Sequence, residues 1–118
     1  MGTFFIREEK LDGETSAIVV DGSLDFDAAP ALKESVGGQI GAGSRHLIID
    51  LSATDFIDST AIGVLVGALK RVQESGGSLG VVCTSENVRG VFEIVGLDDV
   101  IPVHYTREEA VSAIASAA

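Results

Sequence analysis

The sequence has one cysteine, no tryptophan and few basic residues. The single cysteine, Cys83, excludes an intramolecular disulfide, and the apolar run 79–83 around it predicts a small buried side chain without a redox role. One cysteine and two distant histidines, His46 and His104, do not readily supply a metal site. We therefore expect the protein to need no metal and no other cofactor.

Basic residues are scarce, since 8 lysines and arginines stand against 18 acids and give a formal net charge of -10. Nucleic acids and anionic membrane surfaces are both recognised by clustered cations, so neither is an expected partner. We expect partners that present basic or apolar surfaces instead.

Long apolar runs are also missing. The longest one, residues 61–69, is far shorter than the ~20 residues that cross a bilayer. Residues 1–7 lack the basic and apolar segments of a signal peptide. We expect a cytoplasmic protein. The 118 residues, 46% of them hydrophobic, predict one domain over residues 1–118.

Short apolar strands alternate with helical segments along the chain. A turn at 11–14 predicts an antiparallel hairpin. The strands are predicted at 3–9, 16–20, 47–51, 79–83 and 100–103. The helices are predicted from a cap at Asp25 or Asp27 to about Val36, at 59–74, at 86–95, and after a capping box at Thr106 and Glu109. The glycine-rich segment 37–43 is predicted to be a loop. This order predicts an α/β fold with a mixed, largely parallel sheet of about five strands and about four helices.

The carboxyl ends of parallel strands share one rim, which is the usual functional edge of such sheets. Residues 22–27, 52–59 and 84–85 are predicted there. Ser59 lies where a loop enters a helix, and the unpaired amides of a helix start favour a phosphate on its hydroxyl. Asp58 and Ser59 are equally ordinary helix caps, so this position alone leaves a purely structural role open.

Two glycines in the helix that follows Ser59 also require an explanation. Gly63 and Gly67 lie four residues apart on one face, and each destabilises a helix by about 1 kcal/mol relative to alanine. The pattern indicates a helix surface that is approached closely. Either the sheet of the same chain or a partner protein could make that approach.

The segment 58–63, Asp-Ser-Thr-Ala-Ile-Gly, resembles the phosphorylation motif of the anti-sigma factor antagonists, which are single STAS domains. Residues 22–25, Gly-Ser-Leu-Asp, resemble that family's Gly-Glu-Leu-Asp loop, with Ser23 in place of the glutamate. Residues 47–56 and 89–97 resemble the strand before the motif and the third helix with its glycine stop. The resemblance covers nearly the whole chain and implies a STAS-like fold.

The resemblance also implies a function. The unphosphorylated protein would bind an anti-sigma factor that is itself a serine kinase, and so free the sigma factor. Phosphorylation of Ser59 by that kinase would end the binding, and a serine phosphatase would restore it. The chain itself would not be an enzyme. The residues expected to contact the partner are Ser23, Asp25, Asp58, Ser59, Thr60, Ala61 and Gly63.

Three other functions compete with this one. A serine hydrolase is disfavoured because Ile57 and Ala61 replace the glycines of a nucleophile elbow. A receiver domain phosphorylated on Asp50 lacks the expected acidic pair and lysine. A STAS domain that serves as a scaffold or regulatory subunit of a stress-signalling or lipid-transport complex, without reversible phosphorylation, stays open.

Overall fold

The computed structural model describes residues 4–117, which form a five-stranded mixed sheet with helices on both faces. The strands are β1 (Phe5–Lys10), β2 (Thr15–Asp21), β3 (His46–Ala53), β4 (Ser78–Val82) and β5 (Val103–His104). The helices are α1 (Ala29–Gly41), α2 (Ser59–Glu74), α3 (Glu86–Ile94) and α4 (Arg107–Ala117), with a 3₁₀ turn at Leu97–Asp99. Thr3, the predicted start of the first strand, lies outside the described residues.

The strands are arranged in the order β1-β2-β3-β4-β5. Only the β1–β2 pair is antiparallel, and the other three pairs are parallel. This confirms the predicted fold class, including the hairpin. Asp12 in the hairpin turn accepts hydrogen bonds from the amides of Glu14 (2.8 Å) and Thr15 (2.9 Å), which fixes the entry into β2.

Successive side chains of the central strands point to opposite faces of the sheet, and the two faces are covered unequally. Ile18, Leu47 and Ile49 belong to the main core beneath α1, α2 and α3. Residues whose side chains point to the other face of the sheet, such as Ala17 and Ile48, form a smaller cluster beneath α4. Cys83 is fully buried in the main core, as predicted.

Helix α1 differs from its prediction at both ends. Neither Asp25 nor Asp27 caps it, because the helix begins after Ala28 without a side-chain cap. Its other end lies at Gly41, so the prediction of a loop from residue 37 was wrong. Ile40 packs against the main core one turn beyond the buried Val36. This packing outweighs the low helix propensity of the glycines.

The last strand was also predicted wrongly, at 100–103. Residues 97–101 instead form a tight turn, in which the amides of Val100 and Ile101 both donate to the carbonyl of Leu97. The strand is therefore limited to Val103–His104, where the amide of Cys83 donates to the His104 carbonyl at 2.9 Å. Among residues 4–117, no helix has both the length and the hydropathy to cross a membrane.

The predicted capping box at Thr106 and Glu109 is confirmed. The residue after Thr106, Arg107, connects α4 to the sheet through two ion pairs. The Thr106 hydroxyl accepts from the Glu109 amide at 3.1 Å. Arg107 donates to Glu9 on β1 (2.6 Å) and to Asp50 on β3 (2.9 Å). Burial opposes ionisation of Asp50, but hydrogen bonds from Ser52 and Arg107 outweigh it and lower the pKa of Asp50.

We expect this ion pair to make stability depend on pH. A carboxyl whose pKa is lower in the folded state stabilises the fold above its unfolded pKa of about 3.9, and this contribution is lost as the pH falls further. Asp50→Asn should therefore lower the free energy of unfolding by about 1–3 kcal/mol at pH 7. The difference from the wild type should shrink at pH 3, which urea denaturation at both pH values measures.

Glu14→Gln is the matched control. Glu14 pairs with Arg45 at 3.6 Å, and both side chains are about half exposed, so its loss should change stability by less than about 1 kcal/mol. An Asp50→Asn variant that loses the same stability at both pH values would show that altered hydrogen bonding, and not the charge, is responsible.

Candidate functional site

The candidate site is built from two loops that leave the carboxyl ends of β2 and β3. Residues 22–28 and 54–58 are joined by backbone hydrogen bonds, and Leu24 forms an isolated parallel bridge with Ile57. The Leu24 amide donates to the Phe56 carbonyl at 2.9 Å, and the Asp58 amide donates to the Leu24 carbonyl at 3.2 Å. Leu24 and Ile57 are buried, so both loops are anchored in the core.

Asp58 joins these loops to the start of α2. One carboxylate oxygen, Oδ1, accepts from the amide of Ala61 at 3.0 Å and caps the helix. The other, Oδ2, accepts from the amide of Phe26 at 2.9 Å. Asp58 therefore fixes the first loop and the helix start at the same time. Its capping role is confirmed, while its contact with Phe26, 32 residues away in the chain, had no signal in the sequence.

The predicted site residues differ in their access to solvent. Ser59, Thr60 and Gly63 are exposed, and Ser23, Asp25 and Asp58 are partly buried. Asp25 shapes the first loop, since its Oδ1 accepts from the amides of Asp27 (3.0 Å) and Ala28 (3.3 Å).

Ala61 does not fit the expectation that it contacts a partner. Its side chain is fully buried in the main core, so it is absent from the exposed surface. Its amide is held by Asp58, which gives Ala61 a structural place at the helix start.

The space beside α2 tests one of the two explanations for its glycines, close packing against the sheet. Apart from the adjacent residues and the backbone of α2 itself, a Cβ atom added at Gly63 or Gly67 would meet no described atom within 4 Å. Tight packing on the sheet therefore does not explain either glycine. Both residues instead line an open groove of about 260 Å³ between α1 and α2, which Thr60, Lys33 and Arg71 also line.

The residues on which the receiver-domain and serine-hydrolase alternatives depend make structural contacts instead. Asp50, the phosphoacceptor of the receiver-domain alternative, is paired with Arg107, and its other oxygen accepts from Ser52. His46 begins β3, at the opposite end of that strand from the loop that leads to Ser59, and its Nδ1 lies 2.8 Å from the Ser78 hydroxyl. The rim therefore offers Ser59 no histidine base from this residue.

Sequence reasoning missed two residues at the site, Phe26 and Phe56. Phe26 is 66% exposed and Phe56 is 52% exposed. Both lie in the segments predicted at the rim, and the scarcity of aromatic residues in the chain was the signal that could have directed attention to them.

Fold and sequence comparisons place this architecture in one class. A family profile described as the STAS domain matches residues 9–110. The chain belongs to the STAS domain family. It is 36% identical, over 78% of its length and 84% of the relative's, to the anti-sigma-B factor antagonist of Bacillus subtilis.

Solved structures agree with this assignment. An anti-sigma factor antagonist from Mycobacterium paratuberculosis has 29% identity and a TM-score of 0.86, with 95% of this chain and 94% of that chain covered. The anti-sigma factor antagonist SpoIIAA in its unphosphorylated form has a TM-score of 0.83, with 95% and 97% covered. Its 24% identity shows a shared fold alone.

Proposed function

We propose that this chain is an anti-sigma factor antagonist whose binding to its partner is ended by phosphorylation of Ser59. The observation that carries this proposal is an exposed serine hydroxyl directly after the cap of α2, on a rim whose loops are held in place by Asp58. The Bacillus subtilis relative, named as an antagonist of an anti-sigma factor, supports the proposed role.

The partner is a serine-kinase anti-sigma factor, and the sigma factor is freed when this chain binds it. The kinase supplies ATP, magnesium and the base, so the chain needs only to present a hydroxyl. The chain acts as a binding protein and not as an enzyme. A serine phosphatase returns it to the binding form. All of these proteins are expected in the cytoplasm.

The partner-binding surface consists of Ser59 with its exposed neighbours on α2 and in the first loop. Gly63 supports this assignment because the space beside it is open, so a partner backbone could approach the helix closely there. Ser23 replaces the glutamate of related loops and is partly buried, and its contribution is the smallest we propose. The whole chain, residues 1–118, acts as a single STAS domain.

Phosphate transfer tests this function. Each serine-kinase anti-sigma factor encoded in the same genome should be purified and incubated with this chain, ATP and magnesium. We expect one of them to add a single phosphate, which peptide mass spectrometry should locate on Ser59. Ser59→Ala should abolish the transfer, because it removes the hydroxyl that directly follows the Asp58 cap.

Thr60→Val is the matched control, because Thr60 is the adjacent exposed hydroxyl. It should still accept phosphate on Ser59. Undiminished transfer to Ser59→Ala would disprove the assignment of Ser59. If none of these kinases binds or modifies the chain, the proposed function is wrong.

A further inference from the structure

Two phenylalanine side chains are held outward at the rim beside Ser59. Phe26 and Phe56 flank the bridge between Leu24 and Ile57, whose buried side chains anchor the two loops. An isolated exposed apolar side chain is ordinary, but here two large ones occur on loops that are hydrogen-bonded to each other.

The backbone beneath these rings is fixed before any partner arrives. The Phe26 amide donates to Asp58 Oδ2, and the Phe56 carbonyl accepts from the Leu24 amide. A partner would therefore lose little free energy in ordering the loops. A third exposed phenylalanine, Phe5, lies opposite Asp21 at the same end of the sheet, on the edge strand β1.

The two loops that carry these rings contain charged side chains of one sign only. Segments 21–32 and 47–69 contain no lysine or arginine. The carboxylates in the loops and at their ends are Asp21, Asp25, Asp27, Asp55 and Asp58. Arginine is suited to such a surface because its guanidinium stacks on aromatic rings and pairs with carboxylates.

We propose that Phe26 and Phe56 form an aromatic anchor for the anti-sigma factor, which would receive them in an apolar pocket bordered by arginine or lysine side chains. This inference rests on the proposed function and adds the chemistry of the partner's surface. Aromatic side chains buried at the centre of an interface commonly supply most of the binding free energy, whereas the exposed charges around them contribute less.

The test uses the anti-sigma factor that phosphorylates Ser59, with binding measured by titration calorimetry. The double variant Phe26→Ser/Phe56→Ser should bind at least about thirtyfold more weakly than the wild type. Ile94→Ser is the matched control, because Ile94 is 86% exposed at the end of α3. It should bind like the wild type. Raising the salt from about 0.1 M to 1 M shortens the Debye length from about 10 Å to 3 Å, and should weaken wild-type binding.

The possible results separate this inference from the proposed function. If the double variant binds normally while Ser59→Asp binds weakly, the aromatic anchor is disproved and the function stands. If the wild-type chain binds no anti-sigma factor, both are overturned. Sedimentation analysis tests whether the surface binds a second copy of this chain instead. If the wild type self-associates and the double variant is monomeric, the surface belongs to a dimer interface and the aromatic anchor for the anti-sigma factor is disproved.

Discussion

Gly77→Ala should destabilise the protein by about 3 kcal/mol or more, a large share of the 5–15 kcal/mol that holds a typical domain together. A Cβ atom at this position would lie 1.6 Å from the carbonyl oxygen of Arg45 and 2.6 Å from its carbonyl carbon. These are backbone atoms, so no side-chain rotation can relieve the overlap. The chain segments that enter β3 and β4 would have to separate.

The separation would also break hydrogen bonds. The Ser78 amide donates to the Arg45 carbonyl at 3.1 Å, and the Ser78 hydroxyl lies 2.8 Å from His46 Nδ1. Both contacts join the starts of two central strands, so their loss would affect the middle of the sheet. Urea denaturation measures the effect as a lower midpoint with a similar slope.

Gly63→Ala is the matched control for this prediction. It places the same methyl group at a helical glycine where no described atom lies within 4 Å, apart from the adjacent residues and the backbone of α2. Since alanine favours a helix by about 1 kcal/mol over glycine, this variant should be more stable than the wild type. If the two variants have the same stability, the prediction that a side chain at residue 77 overlaps the Arg45 backbone is wrong.

The sequence predicted some elements to the residue and missed others for identifiable reasons. Helix α2 has the predicted bounds because Asp58 is a strong cap and Gly76 provides a left-handed stop, with φ 76°. The end of α1 was missed because local propensity favours a loop at its glycines. Only the tertiary contact of Ile40 with the core extends the helix.

The candidate site was predicted less completely than the sheet. Local sequence was enough to place Ser59 and Asp58 at a helix start. The contact between Asp58 and Phe26 depends on how β2 and β3 are aligned, including the irregularity between Val19 and Asp21. Such a register is set by the whole core and has no signature in a short motif.

Phosphorylation of Ser59 should weaken binding of the anti-sigma factor at least tenfold, while the melting temperature of the free protein stays within about 4 °C. In the free protein the phosphate lies at a helix start, where Ala61 is the one first-turn residue whose amide donates to the Asp58 side chain. The helix dipole and the remaining first-turn amides stabilise the phosphate by about 0.3–1 kcal/mol. Repulsion from the nearby carboxylates opposes this by a similar amount and is partly screened by salt.

The complex changes this balance, even though the proposed partner surface is basic. Exposed ion pairs at the edge of an interface contribute about 0–1 kcal/mol each. Burying a phosphate at the interface without enough hydrogen-bond donors has a desolvation free energy that is larger than this gain and opposes binding. Scanning calorimetry of both free forms and titration of each with the anti-sigma factor measure the two effects separately. If a large fall in melting temperature accompanies the lost binding, the phosphate acts by disordering α2, and a local switch is excluded.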